Sequence, residues 1–230
     1  MARIYKLSRT GIRLIYKIRH HRGHGIHSPF VYNLIRKVIE EKTNYYAYDD
    51  IKEYVMHDLN IRFKPNKINK LSFRLINHFD SKNILEIGSG KGLNTLYLTA
   101  PSKEIVCHST EWDPDKYNKA QKLYSGGWKR NIVLHTDAIP FNSLLNKQDC
   151  IYINLKNDKK LSNSDLEKVS KLVYEKTFII VEGIRTNKRC RALWKRIAET
   201  ESRTVVLDLF NIGIVFFDTK LYPWKYEISF

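Results

Sequence analysis

The stretch ILEIGSGKGLNTL, residues 84–96, combines an acidic residue with three closely spaced glycines. The apolar run before Gly88 predicts a buried strand, and the apolar spacing after Gly92 predicts a helix. Glycine permits the tight turn that this order requires, and it lets the backbone approach a ligand closely. The N–H groups at the start of a helix favour a ligand that carries negative charge. The stretch therefore predicts a ligand-binding turn.

Two common phosphate-binding motifs do not fit this turn. The dinucleotide pattern G-x-G-x-x-G requires glycine at the position of Leu93, and a P-loop would close with G-K-[ST]. The pattern here is E-x-G-x-G-x-G, with Glu86 two residues before Gly88. The turn is thus typical of a ligand other than a dinucleotide or a nucleoside triphosphate.

Further acidic residues follow the next two predicted strands. Glu111 lies about twenty residues beyond the glycines, where a carboxylate can accept both hydroxyls of a ribose. Asp137 and Ala138 end the third strand. Because ligands of parallel sheets bind outside the carboxyl ends of the strands, we expect Glu86, Glu111 and Asp137 to surround one pocket. Ordinary surface or helix-capping roles for these carboxylates are the alternative.

With E-x-G-x-G-x-G followed by E-x-D-P, residues 66–218 resemble a class I S-adenosylmethionine-dependent methyltransferase. The segments GHGIHSPFVYNLI and VVLDLFNIGIVFFD further resemble a bacterial subgroup related to the catechol and caffeoyl-coenzyme A O-methyltransferases. The resemblance implies S-adenosylmethionine as the cofactor. It also implies a fold of seven strands in which the last strand is inserted antiparallel.

The same resemblance implies which residues hold the cofactor. Residues around the turn would hold its methionine end: Glu86 at the amino group, with Gly88, Ser89, Gly90 and Gly92. Residues at the next strand ends would hold the nucleoside: Glu111 at the ribose, Trp112 against the adenine face, and Asp137 and Ala138 at the adenine edge. Asn154, at the end of the fourth strand, completes the set.

The metal ligands of the related O-methyltransferases are altered in this chain. Those enzymes carry an aspartate after the fourth strand and an Asp-Asn pair after the fifth, and these residues hold magnesium or calcium. Asn154, Glu182 and Gly183 occupy the corresponding positions here. Because a hard divalent cation prefers several charged oxygen ligands, we expect no metal site. Either methyl transfer is metal-free or the activity is lost.

A hydroxyl acceptor needs a base beside the methyl group. Glu182, at a strand end on the ligand-binding edge, is one candidate, and His27 is the other. With Asn154 these residues form the predicted catalytic set.

His27 belongs to HHRGHGIHSPF, residues 20–30, which holds four histidines. This bend is interpreted in three ways: a solvated basic bend, a lid that points His24 or His27 at the substrate, or a metal site. The spacing of His20 and His24 suits zinc, but neither cysteine nor an acidic residue lies near. His108 and His135 lie within predicted strands, which favours structural roles.

Strand-like and helical segments alternate from residue 83 onward. This alternation predicts a parallel sheet covered on both faces. The last two strand-like runs, TVVLDLF and IGIVFFD, are too close for a parallel crossover and predict an antiparallel hairpin. The predicted fold is therefore α/β: a Rossmann-like, seven-stranded, mostly parallel sheet with helices on both faces, a closing hairpin and an N-terminal helical extension.

Helical spacing is also present before and between the strands. We predict a basic amphipathic helix over 3–19, a helix over 29–41 that Ser28 caps, and helices over 66–79 and 139–146. The apolar residues within 45–65 follow neither a helical nor a strand-like spacing. The predicted division is a basic N-terminal extension or lid, 1–65, and a methyltransferase domain, 66–230.

The net charge of +16 favours acidic partners without choosing among them. Cys107, Cys150 and Cys190 have no metal or disulfide spacing, so we expect buried reduced thiols in a cytoplasmic protein. The basic N-terminus lacks the apolar run of a signal peptide.

The preferred function is O-methylation of a small molecule. An RNA methyltransferase is one alternative. An inactive cofactor-binding relative that docks on a membrane or a partner is the other.

Overall fold

The computed structural model of the chain describes residues 26–58, 61–62, 64–136, 138–142, 144, 147–228 and 230. The predicted helix over 3–19, most of the histidine-rich bend and Asp137 lie outside the described residues. Within the described ranges, no helix is long and apolar enough to cross a membrane.

Two short helices, each continued by a π-helical turn, precede the sheet. They are α1 (Pro29–Leu34) with π1 (Ile35–Ile39), and α2 (Tyr46–Glu53) with π2 (Tyr54–Asp58). The predicted start of α1 is confirmed, because the Ser28 hydroxyl accepts the Val31 N–H at 3.4 Å. The second pair was missed by the sequence analysis.

Five further helices follow along the described chain. They are α3 (Lys67–Phe79), α4 (Leu93–Thr99), α5 (Pro114–Ser125), α6 (Asn163–Lys171) and α7 (Lys188–Ala198). The predicted helix over 66–79 is confirmed. It begins at a capping box in which Asn66 and Asn69 each accept the other's backbone N–H, at 2.9 and 3.1 Å.

The strands form one sheet in the order β3-β2-β1-β4-β5-β7-β6-β8. They are β1 (Asn83–Ile87), β2 (Val106–Thr110), β3 (Asn131–His135), β4 (Cys150–Asn154), β5 (Phe178–Glu182), β6 (Val205–Asp208), β7 (Ile212–Phe216) and β8 (Trp224–Glu227). The first five are parallel, and the strand order reverses between β1 and β4. Ligands of such sheets bind where the order reverses.

The predicted fold class and its closing hairpin are confirmed. β7 is antiparallel both to β5 and to β6. The predicted number of strands was too low, because β8 adds an eighth strand that pairs with β6 in parallel. Its four residues are exposed or half-buried, so they lack the apolar pattern by which a buried strand is recognised.

Apolar residues cover both faces of the sheet. On one face, α1, π1 and α3 contribute a cluster that includes Val31, Ile35 and Leu75. On the other face, α6 and α7 contribute Leu166 and Trp194. This arrangement confirms the prediction of helices on both faces.

The predicted helix over 139–146 is wrong for the part that the structure describes. None of residues 139–142 or 144 is helical. The segment is short, and Pro140 disfavours helical backbone angles at Ile139, the residue before it. Ile139 and Leu144 are nevertheless buried against the sheet. Their apolar spacing therefore reflects burial rather than helix formation.

The described part of the N-terminal segment packs into the same core as the sheet. Arg74 of α3 is buried, and it donates from Nε to the Val38 carbonyl at 2.6 Å and from Nη2 to the Ile39 carbonyl at 3.2 Å. These are carbonyls at the end of π1, which otherwise lack helical partners. The division of the chain at residue 65 stays a prediction.

The three cysteines are buried and form no disulfide. Burial raises the pKa of the Cys107 and Cys150 thiols well above the ordinary value. Both thiols are therefore protonated packing residues, as the sequence analysis expected.

Helix α7 packs closely against β7. A Cβ built on Gly213 would lie 2.1 Å from Cη2 of the buried Trp194. Because overpacking of this kind forces backbone shifts, Gly213→Ala should lower the free energy of unfolding by about 3 kcal/mol. Urea denaturation measures this change.

The matched control is Gly126→Ala, at a position with φ of −78° that any residue adopts. In a Trp194→Leu background, the added methyl group at 213 should cost less than in the native background. Equal costs in the two backgrounds would contradict the contact as the cause.

Candidate functional site

The turn after β1 contains three glycines in the left-handed region. Gly88, Gly90 and Gly92 have φ of 82°, 64° and 83°. Other residues adopt such angles only with strain, so the turn depends on glycine at these positions. The predicted strand–turn–helix order is confirmed, since β1 ends at Ile87 and α4 begins at Leu93.

Backbone hydrogen bonds tie this turn to the end of β2. The N–H groups of Gly88 and Ser89 both donate to the Thr110 carbonyl at 3.0 Å. The Gly90 N–H donates to Oε2 of Glu111 at 2.6 Å. The turn and the predicted ribose-binding carboxylate are therefore in direct contact.

Glu111 is only 1% exposed, yet its acceptor capacity is not exhausted. Oε1 accepts the Asp113 N–H at 2.9 Å, and Oε2 accepts the Gly90 N–H. A carboxylate offers about four acceptor positions, so each oxygen can accept one further donor. Two hydroxyl groups of a ligand match that remaining capacity.

Glu86 lies beneath the turn and has no exposed surface. Its Oε2 accepts the hydroxyls of Thr95 and Ser109 at 2.5 and 2.9 Å. Burial raises the pKa of Glu86 to about 7, although these two hydrogen bonds act in the opposite direction. The carboxylate thus connects α4 to β2 on the buried side of the turn.

Gly92 and Ser89 differ in what surrounds them. A Cβ on Gly92 would lie 2.8 Å from the Tyr124 ring, whose hydroxyl is 2.6 Å from Oγ1 of Thr95. Gly92 is therefore needed for packing against Tyr124. Ser89, by contrast, has a buried hydroxyl that meets no hydrogen-bond partner in the described part of the chain.

The loop after β4 lies over the turn. A Cβ on Gly90 would lie 2.5 Å from Nδ2 of Asn157, and that Nδ2 donates to the Gly88 carbonyl at 3.3 Å. Asp158 accepts the indole N–H of Trp112 through Oδ2 at 2.6 Å. The Lys160 ammonium lies 4.8 Å from the centre of the Trp112 ring. Side chains of this loop therefore occupy the crevice between β1 and β4.

Asp158 itself is fixed in place. It is fully buried, and its Oδ1 accepts the N–H groups of Lys160 and Leu161 at 2.9 and 2.6 Å. Arg189 donates to the Asp158 carbonyl at 3.1 Å. Asn157 and Trp112 are held less firmly, because each is half-buried.

A second polar cluster, which we call the Glu182 cluster, lies at the carboxyl ends of β4 and β5. It consists of Tyr152, Asn154, Lys156 and Glu182. Oε2 of Glu182 accepts the Tyr152 hydroxyl at 2.6 Å and the Asn154 amide at 3.0 Å. Oε1 accepts the Lys156 ammonium at 2.8 Å. Burial raises the pKa of Tyr152 well above the ordinary value, so its hydroxyl remains a donor.

The sequence analysis identified two members of this cluster and missed the other two. Asn154 and Glu182 are brought together as predicted. Lys156 was missed because a lysine in a charged loop has no motif of its own. The one signal in the sequence was the glycine at position 183. In the structure Gly183 has φ of 85°, and a Cβ there would lie 2.7 Å from Cγ of Lys156.

The remaining predicted residues have different positions. Ala138 is exposed beyond the end of β3, and Asp137 lies outside the described residues. His27 is exposed and precedes α1. Phe30, three residues later, stacks edge-on against Phe216, which pairs with Phe178 at the amino end of β5. His27 is therefore not part of the Glu182 cluster, which lies at the other end of that strand.

His108 and His135 are adjacent, with Nδ1 and Nε2 3.1 Å apart, and both are half-buried in the sheet. Across the described residues, no group of three or more His, Cys, Asp or Glu side chains could hold a metal ion. The expected absence of a metal stays a prediction.

No protein-family model matches the chain, and no curated protein matches it in sequence. Solved structures do match. One is a caffeoyl-CoA O-methyltransferase-like protein from Staphylococcus aureus, at 16% identity over 81% of this chain and 97% of that one, with a TM-score of 0.57. Another is an O-methyltransferase from Bacillus cereus in complex with SAH, at 18% identity over 81% and 97%, with a TM-score of 0.55.

A third is an O-methyltransferase from Streptomyces achromogenes in complex with SAM, at 14% identity over 76% and 91%, with a TM-score of 0.54. The chain has the class I methyltransferase fold. This confirms the fold that the sequence resemblance implied. Identity below one fifth establishes the fold alone.

The burial of Glu86 predicts a specific pH dependence. Between its ordinary pKa of 4.5 and its raised pKa of about 7, the folded protein binds this proton more tightly than the unfolded chain does. The contribution of Glu86 to the free energy of unfolding should therefore fall as pH rises through that window, by on the order of 3 kcal/mol.

Glu86→Gln keeps the shape and cannot titrate. Urea unfolding of both proteins, measured at several pH values across this window, isolates the effect in the difference between them. A difference that stays constant with pH would contradict the assignment, because the other titrating groups contribute equally to both proteins.

Proposed function

We propose that the protein is an S-adenosylmethionine-dependent methyltransferase that methylates an oxygen atom of a small molecule and uses no divalent metal. The observation that carries the proposal is the 2.6 Å hydrogen bond between the Gly90 N–H and Glu111. It joins a glycine turn and an acidic strand end at the point where the strand order reverses, which is where ligands of such sheets bind.

The residues at this edge fit the chemistry of the cofactor. Glu111 retains acceptor capacity for the two ribose hydroxyls, and the buried Ser89 hydroxyl is available for a polar group of the methionine end. Trp112 and Ala138 would contact the adenine, together with Asp137. When bound, S-adenosylmethionine supplies a methyl group on a positively charged sulfur, which leaves as a neutral thioether.

Binding requires rearrangement of two side chains. Asn157 covers Gly90, and the indole of Trp112 is held by Asp158. Because the loop backbone is anchored through Asp158, we expect the crevice to open by rotation of the Asn157 and Trp112 side chains. A ligand that offers hydrogen-bonding groups of its own can replace the contacts that are lost.

The Glu182 cluster supports transfer without a metal. Both oxygens of Glu182 are engaged by donors of the protein, and the Asn154 amide nitrogen also points at this carboxylate. A divalent cation would compete with the Lys156 ammonium for a single carboxylate, which is a poor ligand set for it.

An RNA acceptor is a second candidate. Tyr222 and Trp224 are exposed beside Lys220 and Lys225, and single-stranded nucleic acids bind to such combinations of aromatic and basic residues. The strand order separates β8 from β5 by three strand spacings, about 14 Å. An RNA bound at β8 would have to extend across β6 and β7 to reach the Glu182 cluster.

An inactive protein that retains the fold is the remaining candidate. The observation in its favour is that side chains of the protein itself, those of Asn157 and Trp112, fill the crevice. Calorimetry with S-adenosylmethionine and with its demethylated product separates the candidates, because absence of heat for both ligands would remove every methyltransferase assignment.

Loss of the Glu111 charge should weaken cofactor binding. Glu111→Gln preserves the size of the side chain but removes an acceptor for the ribose hydroxyls. We expect the dissociation constant of S-adenosylhomocysteine to rise about 5- to 150-fold, the equivalent of 1–3 kcal/mol. Isothermal titration calorimetry measures it.

Asp115→Asn is the matched control, because it removes an exposed carboxylate from the first turn of the adjacent α5. Thermal unfolding of each variant checks that the turn remains folded. Unchanged affinity in a folded Glu111→Gln protein would show that the ribose is not bound here.

Removal of the Asn157 side chain should have the opposite effect. Because Asn157 must leave Gly90 before a ligand enters, Asn157→Ala should tighten binding of S-adenosylhomocysteine about 2- to 10-fold. Lys159→Ala, at an exposed position of the same loop, should leave the affinity unchanged. Weaker binding by Asn157→Ala would indicate that Asn157 contacts the ligand itself.

A further inference from the structure

A groove beside α3, which we call the basic groove, has a volume of about 820 Å³. We propose that it binds the terminal phosphate of a second ligand, either a small phosphorylated molecule or a lipid headgroup of the same chemistry. None of the residues assigned to the cofactor lines it, so the inference does not depend on the proposed function. Two carboxylates line the groove, against five basic residues: Arg36, Lys42, Lys67, Lys70 and Arg74.

Three of these basic residues lie on one face of α3. Lys67, Lys70 and Arg74 have the spacing i, i+3 and i+7, which places their side chains in one row along a helix. The first turn of α3 holds no acidic residue, although the N-terminus of a helix favours negative charge. The two lysines at this end oppose the helix dipole and repel each other. The row is therefore unfavourable for stability until an anion binds to it.

Arg74 adds a buried positive charge to the groove. The residue is only 7% exposed, and two of its five N–H donors bind the carbonyls of Val38 and Ile39. No carboxylate in the described part of the chain forms an ion pair with it. Because a buried charge is costly unless it is paired, a bound anion would supply the missing negative charge.

The two carboxylates of the groove are engaged by neighbouring groups. Oε2 of Glu40 lies 3.7 Å from Nη1 of Arg36. Oε1 of Glu41 accepts the hydroxyl and the backbone N–H of Thr43 at 2.7 and 2.8 Å, and these hydrogen bonds lower the pKa of Glu41. Neither carboxylate forms an ion pair with the lysines of α3. The lysines are thus not neutralised from within the groove.

Aromatic rings hold the ammonium groups of these lysines in position. Nζ of Lys67 lies 5.6 Å from the centre of the Phe230 ring, and Nζ of Lys70 lies 4.8 Å from the centre of the Tyr48 ring. A ring face attracts an ammonium without cancelling its charge. Both ammonium groups therefore remain able to bind an anion.

Several cations in one groove favour a ligand with two negative charges. A phosphate monoester carries close to two charges above about pH 6 and offers three acceptor oxygens. A phosphodiester carries one charge, and its two substituents hinder approach to a guanidinium as buried as that of Arg74. The basic groove thus fits a terminal phosphate better than the backbone of a nucleic acid.

The test is isothermal titration calorimetry of the full-length protein with phenyl phosphate, at constant ionic strength. Lys70→Met should weaken binding about 10-fold, because the ammonium contributes a charge-assisted hydrogen bond, and the double variant Lys67→Met/Lys70→Met should abolish it. Lys119→Met removes an exposed charge from α5 and should bind as the native protein does. Absence of binding to the native protein, or equal binding by the double variant, would overturn the inference.

Thermal unfolding separates ligand binding from a structural role of the lysines. Without ligand, the double variant should unfold at or above the temperature of the native protein, because the repulsion within α3 is removed. Phenyl phosphate should raise the unfolding temperature of the native protein alone. An equal rise in both proteins would be a general salt effect and would contradict the site. A clearly lower temperature for the double variant would assign the lysines to the fold instead.

Three comparisons test the chemistry of the ligand. Affinity for phenyl phosphate should fall below about pH 6, where the monoester loses its second charge. Diethyl phosphate, a diester with one charge, should bind at least about 10-fold more weakly. Equal affinity for the diester would indicate recognition of a nucleic-acid backbone and overturn the inference. S-adenosylhomocysteine should leave the affinity unchanged, since competition would place the phosphate in the cofactor crevice.

Vesicles distinguish the two sources of a monoester that calorimetry shows to bind. Phosphatidylcholine vesicles that contain phosphatidic acid present the same terminal phosphate on a surface. Sedimentation of the native protein but not of the double variant would identify a lipid headgroup, and equal sedimentation of the two would identify a soluble molecule. If the native protein does not bind S-adenosylhomocysteine, the methyltransferase proposal fails and the basic groove is unaffected.

Discussion

The hydrogen bond between the Gly90 N–H and Glu111 is the constraint on which the candidate site depends. A carboxylate that is 1% exposed must have its charge compensated, and here two backbone N–H groups do so. One donor belongs to the turn after β1 and the other to the segment that begins α5. The turn can present its N–H only with glycines at positive φ. The backbone of two loops and the orientation of one carboxylate therefore determine each other.

Three carboxylates lie at the ends of neighbouring parallel strands, and each is compensated in a different way. Glu86 has hydroxyl donors and a raised pKa, Glu111 has backbone donors, and Glu182 has an ammonium, an amide and a phenol. Hydroxyl and backbone donors are fully used inside the protein. An ammonium is not, because it carries three donors and a full charge. Of these three carboxylates, Glu182 is the one that is paired with an ammonium.

Features that depend on local signals were predictable from the sequence. The turn around Gly90, the cap at Ser28 and the hairpin of β6 and β7 follow from residue types within a few positions. Features that depend on distant contacts were not. The helix α2 buries Tyr48 and Ile51 against Phe73 and Leu96, which belong to α3 and α4. β8 is an edge strand that is recognisable only once β6 is in place.

The same distinction applies to the candidate site. Glu111 and Asn154 could be located because their strands could be located. The presence of Asn157 over Gly90 could not be foreseen, because it depends on how the β4 loop folds across to β1. Trp112 was predicted as a platform for adenine, and its side chain is partly exposed. In the structure its indole N–H is bound to Asp158, a contact between residues 46 positions apart in the chain.

These internal contacts have consequences for ligand binding. Opening the crevice breaks the hydrogen bond of Asn157 to Gly88 and the charge-assisted bond of Trp112 to Asp158, at a cost of about 2–4 kcal/mol before any ligand contact forms. The apparent affinity is reduced by the fraction of molecules that are open. A ligand that restores one donor to Asp158 and another to the Gly88 carbonyl recovers most of that cost, whereas an apolar ligand recovers none. The occupied crevice thus discriminates in favour of polar ligands that carry several hydrogen-bonding groups, as a nucleoside does.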